Sequence, residues 1–261
     1  MPSDFTVVIP ARYDSNRLPG KVLADIGGRP MIQWVYEQAR ASRAAEVIVA
    51  TDDERIIQAC SQFGARAELT QENHQSGTDR IAELAERFGW SDDHIVVNVQ
   101  GDEPLIPSAL VTQVGGLLEA DTDAALATLV SPITSNDEWE DLNIVKVVLD
   151  CNSRALYFSR APIPWSPGFV SGGWSKDDRM SIGLRHIGIY AYHVWALKAL
   201  AAEPPCPAEI EERLEQLRAL WLGFSIRVAV ACEDSPRGVD TKQDLQSVRQ
   251  QLTDHSVGTS E

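Results

Sequence analysis

No run in the 261 residues approaches the ~20 uncharged apolar residues of a membrane-crossing helix, and the first five residues lack the basic and apolar segments of a secretory leader. A soluble, cytoplasmic protein with no membrane partner is therefore expected. Basic residues are scarce: 23 Lys and Arg stand against 38 Asp and Glu, a net charge of −15. That balance argues against nucleic acid or an anionic membrane surface as the main partner, since both reward a basic face. An anionic ligand must then meet a local cluster of cations. Cys60, Cys151, Cys206 and Cys232 are scattered without a C-x-x-C pair, so neither a structural zinc site nor a redox motif is suggested, and buried free thiols are expected. The histidines form no metal-binding spacing, and both the G-x-G-x-x-G of dinucleotide sites and the Walker loop are missing.

What is present has the composition of a globular chain, long enough for one large domain or one domain carrying a smaller insertion. Short β-branched runs (FTVVIP from Phe5, VIVAT from Val47, HIVVNV from His94) are apolar enough to lie inside a parallel sheet. Between them Met31 to Arg43, Asp53 to Phe63 and Thr78 to Phe88 carry helical spacing, which gives the α/β alternation of a Rossmann-like, mostly parallel sheet. After Leu129 the rhythm changes. IVKVVLD from Ile144, ALYFS from Ala155 and HIGIYAY from His186 follow without regular helices between them, so mixed or antiparallel pairing is expected there. Pro162 to Gly183 has the composition of a long loop and is read as a flap. A helix over Glu209 to Leu222, a strand over Ile226 to Ala231 and a helix over Thr241 to Leu252 complete the domain, and residues 253–261 form a polar tail.

The stretch FTVVIPARYDSNRLPGK runs a buried strand directly into a loop with Arg12, Arg17 and Lys21. Backbone amides and cations at the carboxyl end of the first strand of an open sheet can hold a triphosphate. A second apolar strand ends in VNVQGDEP, which places Gln100, Asp102 and Glu103 together. Mg²⁺ at a nucleotide site takes one or two carboxylates plus phosphate oxygens. Other residues have plainer readings on their own: Asp240 as a helix N-cap before Thr241, His186 as a hydrogen-bonded core histidine, and Glu215, spaced from Glu211 and Arg218 as on one helix face, as part of a surface salt bridge.

These stretches, with VIVATDDERI from Val47, HQSGTDR from His74, VKVVLD from Val145, LYFSRAPIPW from Leu156, LRHIGIYAY from Leu184, LEQLRALWLG from Leu214 and GVDT from Gly238, closely resemble the CMP-Kdo synthetase family. These enzymes are 3-deoxy-manno-octulosonate cytidylyltransferases of the nucleotide-diphospho-sugar transferase type. The blocks run from residue 5 to about 252 and omit only the loop between Ser166 and Gly183 and the tail.

The resemblance implies one cytidylyltransferase domain over 1–252, with about 130–200 as a sugar-binding and dimerisation subregion. It implies that CTP activates a 3-deoxy-octulosonic acid (Kdo) for lipopolysaccharide core synthesis, and that the enzyme is a homodimer. Asp102 and Asp240 would hold a catalytic Mg²⁺, while Arg12 and Lys21 would neutralise the phosphates. Ser15 joins the substrate-binding set, and Ala11, Ser76, Gly77 and Arg80 would read the cytosine. Gln100, Arg160, His186 and Tyr190 would hold the sugar acid, with Glu215 on one of its hydroxyls. Two alternatives stay open: a modified octulosonate such as 8-amino-3,8-dideoxy-Kdo as acceptor, toward which Asp177 and Asp178 in the unmatched loop would lean, and a CTP-binding regulator without catalysis.

Overall fold

The computed structural model describes residues 5–14, 18–165 and 183–257, with side chains through residue 252. Ser15, Arg17 and residues 166–182 of the expected flap lie outside these residues.

The first half alternates as the apolar runs require: β1 (Phe5–Ala11), a small hairpin of β2 (Asp25–Ile26) and β3 (Arg29–Pro30), α1 (Met31–Ala41), β4 (Glu46–Thr51), α2 (Glu54–Gln62), β5 (Arg66–Leu69), α3 (Gly77–Arg87) and β6 (Ile95–Asn98). Then come α4 (Ser108–Glu119), β7 (Leu126–Pro132), α5 (Asn136–Glu140), β8 (Lys146–Leu149), β9 (Ala155–Ser159) and β10 (Leu184–His193). The chain closes with α6 (Val194–Ala202), α7 (Pro207–Glu212), α8 (Gln216–Trp221), β11 (Ile226–Val230) and α9 (Lys242–Val257).

The main sheet runs β11-β7-β10-β6-β1-β4-β5, with β8 and β9 continuing from β10. Pairs β1–β4, β1–β6, β4–β5 and β7–β11 are parallel, while β10 is antiparallel to β6, β7 and β8. The expected change from parallel to mixed pairing is thus present. Alternation along β1 sends Val7 and Ile9 into a core with Val35 of α1 and Leu110 of α4, and Val8 into a core with Leu84 of α3 and Leu197 of α6. Because both faces are covered, the carboxyl ends of β1, β4 and β6 are left as the open edge where loops can gather.

Four differences from the sequence reading bear on the site. The expected helix over Glu209 to Leu222 is two short helices, broken where Arg213 takes a left-handed conformation (φ 56°). Glu211 and Glu215 therefore do not share a helix face. The last helix continues through Val257, past the expected start of the tail at 253. Cys60 and Cys206 are buried, but Cys151 and Cys232 are exposed; burial pushes the Cys60 thiol up to about 12. Finally, α4 gave no helical signal because Gly115 and Gly116 interrupt it. Gly115 is required by packing, since a Cβ there would lie 2.5 Å from the Phe5 ring.

Candidate active site

A cavity of about 460 Å³ opens over the carboxyl ends of β1, β4 and β6, lined by Arg12, Asp14, Lys21, Asp52, Glu72, His74, Gln100, Asp102 and Asp240. Its foot is built by close backbone approach. A Cβ on Gly101 would meet the Pro10 carbonyl oxygen at 3.0 Å, and one on Gly77 would meet the Pro10 ring at 3.0 Å. Glycine at both positions lets the end of β6 and the start of α3 close around the end of β1. A smaller adjoining cavity of about 60 Å³ is lined by Ala11, Arg12, Ser76, Gly77, Arg80 and Gln100. The residues assigned to the base thus lie beside those assigned to the phosphates.

At the centre the Lys21 ammonium donates to Asp102 Oδ2, to Asp240 Oδ1 at 3.2 Å and to the Val239 carbonyl at 3.1 Å. Asp102 and Asp240, 138 positions apart in sequence by subtraction, meet because the Val239 amide donates to the Asp102 carbonyl (2.8 Å) and Gly238 packs on the Asp102–Glu103 turn, where a Cβ would lie 3.3 Å from the Asp102 carbonyl oxygen. The plain N-cap reading of Asp240 does not hold. Thr241 takes the cap instead, its Oγ1 accepting from the Asp244 amide (3.1 Å) while Asp244 Oδ2 accepts from the Thr241 amide (2.7 Å). Asp240 is left to turn its carboxylate to Lys21. Among the described residues no trio of His, Cys, Asp or Glu is grouped as for a metal, so the oxygen donors here are this pair. Two carboxylates that already share a cation suit Mg²⁺, which keeps water and phosphate oxygens in its remaining positions.

Ser76 caps α3: its Oγ accepts from the Asp79 amide (3.1 Å), and Asp79 Oδ2 accepts from the Ser76 amide (3.0 Å). Arg80 is buried and largely committed. It donates to Asp52 Oδ2 at 2.6 Å, to the Gln71 carbonyl at 3.2 Å and to Thr70 Oγ1, so it braces β4 and β5 against α3 at the edge of the smaller cavity. Arg12 is exposed on the rim.

Of the sugar-assigned residues, Tyr190 lies in the core shared with α3 and α6, and Gln100 lines both cavities. Gln100 donates from its amide to Asn98 Oδ1 (3.3 Å), which turns its carbonyl oxygen away as an acceptor. Glu215 Oε2 accepts from Thr78 Oγ1 (2.7 Å), while Glu215 Oε1 and the Tyr190 hydroxyl are buried without a hydrogen-bond partner among the described residues. Burial holds the Glu215 carboxyl above the usual range. The break at Arg213 explains why Glu215 faces inward. Arg218 donates to both oxygens of Glu209 (2.8 and 2.5 Å) and reaches Glu215 only at 3.9 Å, so the expected surface pair is replaced by a buried Arg218–Glu209 clamp under α8.

His186 is walled in by Phe158 and Tyr190, and burial pushes it down to about 3. Thr128 Oγ1 lies 3.0 Å from His186 Nε2 and within hydrogen-bond distance of the Ile187 (3.1 Å) and Ile189 (2.8 Å) carbonyls. With its pKa held so low, the ring is neutral at pH 7. The core-histidine reading describes its surroundings, and any role toward a sugar acid is by hydrogen bond, not by charge. Arg160 donates to the Glu212 carbonyl (2.9 Å) and the Leu142 carbonyl (3.1 Å).

Sequence reasoning did not single out Asp52, Glu72, Thr78, Asn98 or Thr128. Asp52 lay inside the VIVATDDERI block with no role attached to it and Glu72 in a loop, while Thr78, Asn98 and Thr128 read as ordinary members of a helix and two strands.

The sequence profile of the cytidylyltransferase family matches residues 6–226. A 3-deoxy-manno-octulosonate cytidylyltransferase from Pseudomonas fluorescens is 54% identical over 255 residues, covering 97% of this chain and 99% of that protein. One from Thioalkalivibrio sulfidiphilus is 53% identical over 249 residues, covering 95% and 98%. Among solved structures, CMP:2-keto-3-deoxy-manno-octonic acid synthetase complexed with CTP superposes with a TM-score of 0.87 at 40% identity, over 96% of this chain and 99% of that one.

Proposed function

The chain belongs to the cytidylyltransferase family, and from that premise we propose that it transfers CMP from CTP to the anomeric hydroxyl of 3-deoxy-manno-octulosonate. The hydroxyl oxygen attacks the α-phosphorus, the bond to the β-phosphate oxygen breaks, pyrophosphate leaves and the hydroxyl proton is released. The observation that carries this reading is the junction at which Lys21 gathers Asp102 and Asp240 at the foot of a cavity that also holds Arg12 and Gln100.

Lys21 and Arg12 neutralise phosphate charge that builds up as pyrophosphate departs. Ala11, Ser76 and Gly77 line the narrow adjoining cavity, where backbone edges can read a flat pyrimidine. Asp102 and Asp240 would hold a divalent cation, Mg²⁺, which when bound lowers the pKa of an attacking hydroxyl and offsets charge on the α-phosphate. Tyr190, Glu215 and Gln100 offer one donor and two acceptors to a polyhydroxylated acid, and Arg160 offers its carboxylate a cationic donor through Nη2. Buried polar atoms without partners are costly in a folded chain, so the Tyr190 hydroxyl and Glu215 Oε1, unpartnered among the described residues, fit a ligand that satisfies them.

The chain would work as a homodimer. The edge strand β9 exposes Leu156 and Tyr157, with exposed Leu142 and Trp165 on neighbouring segments, and a second copy would cover this surface.

Pyrophosphate release with paired substrates tests the function. Rapid release from CTP with Kdo, and at least about a hundredfold less with UTP or with sialic acid, is expected if backbone edges select the base and the pocket selects the acceptor. Equal rates with sialic acid would place the acceptor specificity elsewhere.

A further inference from the structure

Lys146, at the start of β8, is completely buried, and no ion pair reaches it among the described residues. Its ammonium instead donates three hydrogen bonds to main-chain carbonyls: Asp141 at 2.8 Å, Ile144 at 2.9 Å and Arg160 at 3.0 Å. The nearby Asp141 carboxylate is taken by Asn143 and Arg237. Burying a charge costs several kcal/mol unless its surroundings repay it, and a methionine would fill the same space without that cost. What the ammonium does that an apolar side chain cannot is satisfy three converging carbonyls at once.

Those carbonyls belong to segments that meet at Arg160. The Arg160 amide donates to Glu212 Oε2 (2.9 Å), and its guanidinium donates through Nε to the Glu212 carbonyl and through Nη1 to the Leu142 carbonyl. With Lys146 on its carbonyl, Arg160 is held at its amide, its carbonyl and two of its three guanidinium nitrogens. Among the described residues its Nη2 donates no hydrogen bond. Lys146 also lies where β8 pairs with both β9 (Lys146↔Ser159) and β10 (Arg185↔Lys146), next to the Val145 carbonyl that accepts from the His186 amide (2.8 Å).

We propose that Lys146 is a positioning residue for the acceptor half of the site, fixing Arg160 so that the open side of its guanidinium meets the carboxylate of the sugar acid. The inference rests on the assignment of Arg160 in the proposed function. Lys146 does not touch the nucleotide cavity, so its effect should be confined to the acceptor.

Steady-state kinetics of Lys146→Met, Arg160→Ala and the double variant test it, with Kdo and CTP varied in turn. We expect Lys146→Met to raise KM for Kdo about tenfold, the scale of a weakened charge-assisted hydrogen bond, and to leave KM for CTP within about twofold. The double variant should bind Kdo no more weakly than Arg160→Ala alone, because residues acting through one another do not add. If Lys146→Met shows no CTP-dependent rise in melting temperature, Lys146→Gln, which keeps two donors without the charge, takes its place. A parallel rise in KM for CTP, or effects that multiply in the double variant, would overturn the proposal. Arg160→Ala with a wild-type KM for Kdo would remove Arg160 from the acceptor site and the inference with it. A response of Arg160→Ala but not of the position-146 variant would overturn the inference alone.

Discussion

Replacing Lys21 by methionine keeps the volume of the side chain and removes the cation shared by Asp102 and Asp240. The side chains of the three groups are 13%, 28% and 49% exposed, so solvent screens the pairs and their loss should cost the fold about 1 kcal/mol. For a chain of this size that is a fall of about 2–4 °C in Tm. The same ammonium is placed to meet charge developing on the phosphates, where losing one preorganised contact costs about 2.7–4 kcal/mol of barrier, or 10²–10³ in rate. Catalysis should therefore collapse while the fold barely responds. Pyrophosphate release at saturating Kdo and varied CTP gives kcat/KM for CTP, and a thermal melt of the same preparation gives Tm. A fall in kcat/KM of less than about tenfold, with the chain folded, would refute a role for Lys21 at the phosphates and leave it as a scaffold cation.

Gly101→Ala should lower Tm by several degrees and weaken CTP binding, since its Cβ would press the Pro10 carbonyl at 3.0 Å and overpacking of this kind costs about 1–3 kcal/mol; an unchanged melt and unchanged calorimetric affinity for CTP would contradict that. Glu215 has its pKa raised by burial, so the native state holds its proton more tightly than the unfolded chain. The stability this gives is complete below the unfolded carboxylate pKa and is lost as pH rises through the higher folded value. In melts from pH 4 to 8, Glu215→Gln should thus gain on the wild type as pH rises, and a pH-independent difference would count against the assignment. Leu156→Glu should shift sedimentation toward the monomer if β9 forms the dimer contact; a wild-type profile would move that contact elsewhere.

The fold was legible where chemistry is repetitive. Continuous β-branched runs identified β1, β4 and β6, and helical spacing identified α2 and α3, whose starts the structure shows capped by Asp53 and Ser76. It was not legible where packing overrides propensity, as in α4, whose glycine serves the Phe5 ring, or at Arg213, whose left-handed turn no local signal announces. The site divides in the same way. Arg12, Lys21 and Asp102 stand out because cations and a carboxylate follow directly on apolar strands. Asp240 and Glu215 read as a cap and a surface pair, because their partners, Lys21 and Thr78, are more than a hundred residues distant in sequence. Lys146 looked like an ordinary strand residue, since nothing in the order of residues reveals that three carbonyls converge on its ammonium.

The most direct test of the central claim is product formation itself: ³¹P NMR of the purified chain with CTP, Kdo and Mg²⁺, with each component omitted in turn. The account predicts a single CMP-sugar phosphodiester resonance appearing with equimolar pyrophosphate, and neither signal when CTP, Kdo or Mg²⁺ is left out. Folded protein that binds CTP yet yields no phosphodiester with all three present would contradict it.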